Sequence, residues 1–253
     1  MIIDIVNNKG GTGKTTTCVN LAAAMVQQGC RTLVVDLDPQ ASASLSLGIS
    51  FDDLSPSIAD ALFTEAPGSL PVRATAVEGL DLVTAELDLA SADLALANHA
   101  DRENRLARLL APIQKQYDFI FCDCPPSMSM LVINALVAAD GLIIPVTPDY
   151  LALEGLVSLT NAVEKAKTGL GISPPLLGIV FTQVNPALNL TKRVTGLVRD
   201  HFEGHVFETE VRRDVRLAEA PAESQSIFDY APTSRGAESY AALAAELRQR
   251  INP

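Results

Sequence analysis

The sequence has no uninterrupted apolar run approaching the roughly 18 residues that a membrane-spanning helix needs, so no such helix is expected. It is short of positive charge: 19 Lys and Arg stand against 30 Asp and Glu, a formal net charge of −11. A globally electropositive nucleic-acid binder is therefore not expected, although a local basic patch remains open. Cysteines are few. Cys18, Cys30, Cys122 and Cys124 make no disulfide framework in a chain of 253 residues and are expected as reduced, buried thiols. Cys122 and Cys124 flank Asp123, but no second pair and no nearby histidine completes a four-ligand metal set. His99, His201 and His205 lie far from that pair in sequence. The opening MIIDIVNNKGG lacks a basic segment, an apolar stretch and a small-residue cleavage site, so no signal peptide is expected. Neither an internal repeat nor a linker is visible, and the Pro- and Gly-bearing stretches 66–71 and 173–175 have loop lengths.

The chain is 48% hydrophobic and 19% charged, which excludes disorder, and its length suits one large domain spanning 1–253. Short apolar runs at 2–6, 32–36, 81–84, 119–122, 141–146 and 176–182 read as strands. Most are continuous and not alternating, as in strands covered on both faces. Helical patterns at 14–28, 87–98, 102–113, 131–138, 153–167, 191–201 and 236–251 follow or separate them. The alternation predicts an α/β fold, a mostly parallel twisted sheet with helices on both faces. Charge is uneven. Residues 51–103 are strongly acidic, with Arg73 and Arg102 their only basic residues, whereas 192–216 carry Lys192, Arg193, Arg199, Arg212, Arg213 and Arg216. The second stretch is the one candidate for an anion-facing surface; a solvated face of mixed charge is the alternative.

The first strand runs directly into Asn7-Asn8-Lys9-Gly10-Gly11-Thr12-Gly13-Lys14-Thr15-Thr16, and a helix follows. Glycines let the backbone turn its N–H groups inward around a phosphate, and the helix start adds its positive dipole end. Lys14 is placed to reach the β- and γ-phosphates, and Thr15 to ligate Mg²⁺. The usual G-x-x-x-x-G-K-[ST] pattern is not strictly met, because its first glycine falls on Asn8, and a second lysine, Lys9, precedes the glycines. Two further strands end in Asp36-Leu37-Asp38-Pro39-Gln40 and Asp123-Cys124-Pro125-Pro126-Ser127. Carboxylates at strand ends beside a phosphate loop suit Mg²⁺ coordination through water and orientation of an attacking water.

KGGTGKTTTCVNLA, DLDPQASAS, YDFIFCDCPPSMSMLVINAL, VRRDVRLAEAP and DYAPTSRGAESYAALAAEL, in that order, resemble the motifs of the ParA/MinD group of deviant Walker-A ATPases. The likeness spans nearly the whole chain and is nearest the ParA/Soj partition branch. It implies a P-loop ATPase with ATP as substrate and Mg²⁺ as cofactor. Lys9 would be the signature lysine that reaches a partner subunit's phosphates in a nucleotide-sandwich homodimer. Lys14 would hold phosphates in cis, with Gly10, Gly11, Thr12, Gly13, Thr15 and Thr16 completing the cradle. Asp38 would orient the hydrolytic water, Thr15 and, through water, Asp123 would hold Mg²⁺, and Asp36 is a further candidate for the metal shell. Arg213 would help enclose the adenine.

The resemblance also implies nonspecific DNA binding by the ATP dimer, slow hydrolysis stimulated by a ParB-like adaptor, and a cytoplasmic, nucleoid-associated protein. Its cargo would be a plasmid or chromosome origin, or a protein body. Arg216 matches a DNA-binding position of the branch; a second such position falls on Ala187, a departure that removes one cation per subunit. Lys192, Arg193 and Arg199, on one predicted helix, and Arg212 are the candidates to compensate. The alternative is a membrane-surface positioning regulator of the MinD type. Tyr240, Leu243, Ala244, Leu247 and Ile251 are spaced to pack the last helix on a core, so no membrane partner is expected. A metal-cluster carrier would need a cysteine-held cluster at the dimer interface.

Overall fold

The computed structural model describes residues 1–64 and 68–251. Positions 66 and 67 of the expected loop at 66–71 lie outside the described residues.

The apolar runs form β1 (Ile2–Ile5), β2 (Thr32–Asp36), β4 (Leu80–Val83), β5 (Phe119–Asp123), β6 (Gly141–Val146) and β7 (Leu176–Phe181), and a further short strand is β3 (Val72–Ala74). They make one sheet ordered β3-β4-β2-β5-β1-β6-β7. All its pairings are parallel except β3 with β4, which is antiparallel. Between the strands run α1 (Lys14–Gln27), α2 (Ser42–Ser46), α3 (Ile58–Phe63), α4 (Ala92–Ala95), α5 (Arg105–Leu110), α6 (Met130–Ala138) and α7 (Ala152–Leu170), and α8 (Asn189–His201) follows β7. Three more complete the chain: α9 (Arg216–Glu219), α10 (Ile227–Tyr230) and α11 (Arg235–Ile251).

Successive strand side chains point to opposite faces, so the sheet divides the apolar residues into two cores. Leu33, Val35, Ile120, Leu142, Ile144 and Phe181 pack with α3, α5, α6, α7 and α8. Ile3, Ile5, Val34, Phe121, Ile143 and Val180 pack with α1, α10 and α11. Tyr240, Leu243, Ala244 and Leu247 are all buried, so the expected apolar face of the last helix lies in the second core. The Tyr240 hydroxyl lies 3.2 Å from Thr17 Oγ1 on α1, and the Arg250 guanidinium stacks 4.1 Å above the Phe207 ring.

Two expected helices are shorter than their periodicity implies. The 87–98 stretch is a 3-10 turn, Leu87–Ser91, followed by the short α4. Leu87 and Leu94, within that expected helix, are 70% and 80% exposed. The 102–113 pattern is helical only over α5. The antiparallel edge strand β3 was absent from the sequence reading, because half-buried Val72 and Arg73 and exposed Ala74 offer neither an apolar run nor alternation. Cys18, Cys122 and Cys124 are buried and Cys30 half-buried, all as free thiols.

The chain starts in the middle of the sheet, with β1 between β5 and β6. From β1 it moves to β2 on one side and later to β6 and β7 on the other. This reversal opens a crevice at the carboxyl ends of β1, β2 and β5, where such sheets bind ligands.

Candidate active site

The glycine-rich segment lies in that crevice. Gly11 (φ +73°) and Gly13 (φ +80°) adopt left-handed backbone that a side chain would strain. Gly13 is the residue before α1, and no side chain caps that helix. Among the described residues, the backbone amides of residues 10–16 donate to no protein acceptor. A helix start and a loop that leave consecutive amides unpaired form a cradle for an anion.

Lys14 is 7% exposed, and its Nζ lies 3.4 Å from the Lys9 carbonyl. Burial lowers its pKa, and the carboxylates of Asp123 and Asp38 counter that shift. Asp123 is fully buried at the end of β5, in register with Asp36 at the end of β2. Neither Asp123 oxygen has a hydrogen-bond partner among the described residues. The Thr15 hydroxyl is close enough to favour its charged form but stands outside hydrogen-bond geometry. Burial, and next the charge of Asp36, push the Asp123 pKa well above the usual carboxylate range. An orphaned buried carboxylate facing a hydroxyl and a lysine fits a bound cation with its water shell, so these residues suit a divalent metal.

Asp36 is placed differently. Its carboxylate accepts from Ser44 N and Ser44 Oγ, each at 2.8 Å, and from Asp38 N at 3.1 Å. Burial raises its pKa to about 6 despite those bonds. This set of contacts ties α2 and the Asp38 turn to the end of β2. Asp38 itself is half-exposed and borders a cleft of about 470 Å³ together with Gly10, Gly11, Gly13, Lys14, Thr15 and Thr16. Thr12 is buried beneath the loop.

Lys9 points outward and its Nζ meets Asp149 Oδ2 at 2.5 Å, with both side chains substantially exposed. Thr147 Oγ1 donates to the same oxygen at 2.8 Å. Asn7 shapes this corner: its Nδ2 donates to the Pro145 carbonyl and its Oδ1 accepts from Lys9 N.

Residues 1–173 match the protein family described as AAA domain. The chain is 42% identical over 252 residues to the chromosome partitioning protein ParA of Myxococcus xanthus, covering 100% of this chain and 89% of that protein. It is 43% identical over 246 residues to the sporulation initiation inhibitor protein Soj of Bacillus subtilis, covering 97% of each. The chain belongs to the ParA/Soj family of P-loop ATPases. Among solved structures, cobyrinic acid a,c-diamide synthase of Mycobacterium smegmatis with bound ADP and magnesium superposes with a TM-score of 0.86 at 30% identity, covering 99% of this chain and 95% of that one.

The ParA/Soj residues expected elsewhere are distributed as follows. Arg213 and Arg212 border a second cavity of about 340 Å³ that adjoins the loop at Gly13 and Thr16. Arg213 N donates to the Val184 carbonyl, fixing that wall to the end of β7. Arg216 is exposed at the start of α9, its amide donating to Asp214 Oδ1. Lys192 and Arg193 are exposed on α8. Arg199, on the same helix, is engaged internally, with Glu208 at 3.3 Å, Glu210 at 3.4 Å and the Phe181 ring 5.9 Å from its guanidinium. Ala187 is exposed before α8. The sequence reading missed Asp149, Thr182 and Gln183, whose contacts with the loop join positions more than a hundred residues apart.

Proposed function

We propose that the whole chain, residues 1–253, acts as an ATP-dependent dimerising switch that binds DNA nonspecifically and positions cargo. The run of unpaired amides at residues 10–16, beside buried Lys14 and the orphaned Asp123 carboxylate, carries this reading. In it, the amides and Lys14 hold the β- and γ-phosphates of ATP. Thr15 directly, and Asp123 through water, hold Mg²⁺, which supplies charge neutralisation on the phosphate oxygens. Asp38, at the rim of the cleft, orients the attacking water. Arg213 borders the cavity assigned to the base, next to the loop.

Lys9 serves the partner subunit. In the single chain it is paired with Asp149, and an exposed pair of this kind contributes only about 0.2–1 kcal/mol. A γ-phosphate in a desolvated interface attracts the ammonium more strongly, so dimerisation depends on the triphosphate. Arg216, Arg212, Lys192 and Arg193 form the proposed DNA-facing set. Arg199 contributes less, because its charge is already matched by two glutamates. A ParB-like adaptor stimulates slow hydrolysis, and a short basic N-terminal segment of such an adaptor would dock on the acidic residues of 51–103. The protein works in the cytoplasm on the nucleoid.

The test is DNA retention with ATP, ADP or no nucleotide. Retention with ATP alone, reduced by Arg216→Glu at moderate salt while ATP-dependent dimerisation persists, is the expected result. Retention independent of nucleotide, or unaffected by Arg216→Glu, refutes the DNA-binding part.

A further inference from the structure

Residues 182–184, just past β7, lie between the two cavities and hydrogen-bond to the walls of both. Thr182, 2% exposed, donates from Oγ1 to the Thr12 carbonyl at 2.8 Å. Gln183 donates from Nε2 to the Gly11 carbonyl at 2.7 Å. On the other side, Val184 N donates to the Val211 carbonyl and the Val184 carbonyl accepts from Arg213 N. Gln183 holds this position with φ +52°, a left-handed conformation that is strained for a residue with a side chain.

We infer that Thr182 and Gln183 are positioning residues for the phosphate loop. A trans peptide is planar, so its C=O and N–H point in opposite directions. Holding the Gly11 and Thr12 carbonyls toward β7 therefore aims the Thr12 and Gly13 amides to the opposite side. The bonds are needed because the loop is soft there. Gly11 and Gly13 flank both peptides, and glycine rotates with little steric penalty. A flipped peptide would place a carbonyl oxygen among the amides that face the anion, replacing attraction with repulsion. The side chains thus remove a cost that nucleotide binding would otherwise carry. Through Gln183 on one side and Val184 on the other, the same segment joins the phosphate loop to the residues bearing Arg213, so the two cavities share one support.

This inference rests on the nucleotide reading of the site. Its test is calorimetric titration of the full chain with ATP and with ADP, in the presence of magnesium, for the parent and four variants. Thr182→Val keeps the shape and removes the hydroxyl, and Thr182→Ser keeps the hydroxyl. Gln183→Gly removes the amide and relieves the positive φ, and Lys14→Ala is the control for the site. Loss of one such bond is expected to weaken both nucleotides by roughly three- to tenfold in Thr182→Val and in Gln183→Gly. Thr182→Ser is expected to bind within about twofold of the parent. Gln183→Gly is expected to lose affinity with no fall in the Tm of the nucleotide-free protein, because glycine suits that backbone. The inference is overturned if Thr182→Val binds like the parent, if Thr182→Ser fails as Thr182→Val does, or if Gln183→Gly loses affinity only in step with its Tm. With parent binding intact and abolished by Lys14→Ala, those results leave the nucleotide reading standing. A parent that binds neither nucleotide brings down both.

Discussion

Asp4 carries a large and separable pH effect. It sits in the middle of β1, fully buried, and neither of its oxygens has a hydrogen-bond partner among the described residues. Burial pushes its pKa from 3.8 to about 8; the neighbouring Cys122 thiol lowers it and the Asp140 charge raises it. In the unfolded chain the carboxyl ionises at its ordinary value, so the folded state binds this proton more tightly. The sign follows. The neutral form's contribution is fully present below the unfolded pKa and is lost as pH rises through the folded pKa, at about 1.4 kcal/mol per unit. At pH 7 the cost of keeping Asp4 protonated is about 4 kcal/mol, an upper value because local relaxation reduces it. Asp4→Asn keeps the shape and has no proton to lose. Urea unfolding of parent and variant between pH 5 and 9 isolates the effect, because every other titrating group is common to both. The variant should be the more stable at pH 7 by roughly 2–4 kcal/mol, with the gap widening with pH and levelling off above about pH 8. Parallel curves, or a variant less stable than the parent at pH 7, would refute the buried-carboxyl reasoning.

Gly178→Ala should destabilise the fold by about 1–3 kcal/mol in a denaturant melt, since a Cβ there would lie 2.4 Å from the buried Phe207 ring. Under the proposed mechanism, Asp38→Ala should still bind ATP, checked by titration, while steady-state phosphate release falls by about 10²-fold or more; normal turnover would remove Asp38 from the reaction.

Much of the site was legible because it is local. The loop, its two lysines and the helix after it occupy one short run of sequence, and the strand ends carrying Asp36 and Asp123 follow apolar runs that announce themselves. Register brought those two aspartates side by side, as expected for neighbouring parallel strands. Spatial partners were not legible. Lys9 with Asp149, and the loop carbonyls with Thr182 and Gln183, depend on β1 lying next to β6 and β6 next to β7. Burial also separated roles that composition left equal. Asp36 is occupied by Ser44, whereas Asp123 has no partner. Arg199 is neutralised by glutamates that lie beyond its own helix. Periodicity overstated the helix at 87–98, where Leu87 and Leu94 face solvent, because an apolar residue shows its spacing but not what covers it.

The most direct test of the proposed switch is light scattering of the purified chain with magnesium and a nonhydrolysable ATP analogue, alongside Lys9→Ala. The parent should shift from monomer to dimer with the analogue and not with ADP, and Lys9→Ala should bind the analogue yet stay monomeric. A Lys9→Ala protein that dimerises like the parent, or a parent that stays monomeric while binding the analogue, would contradict the account.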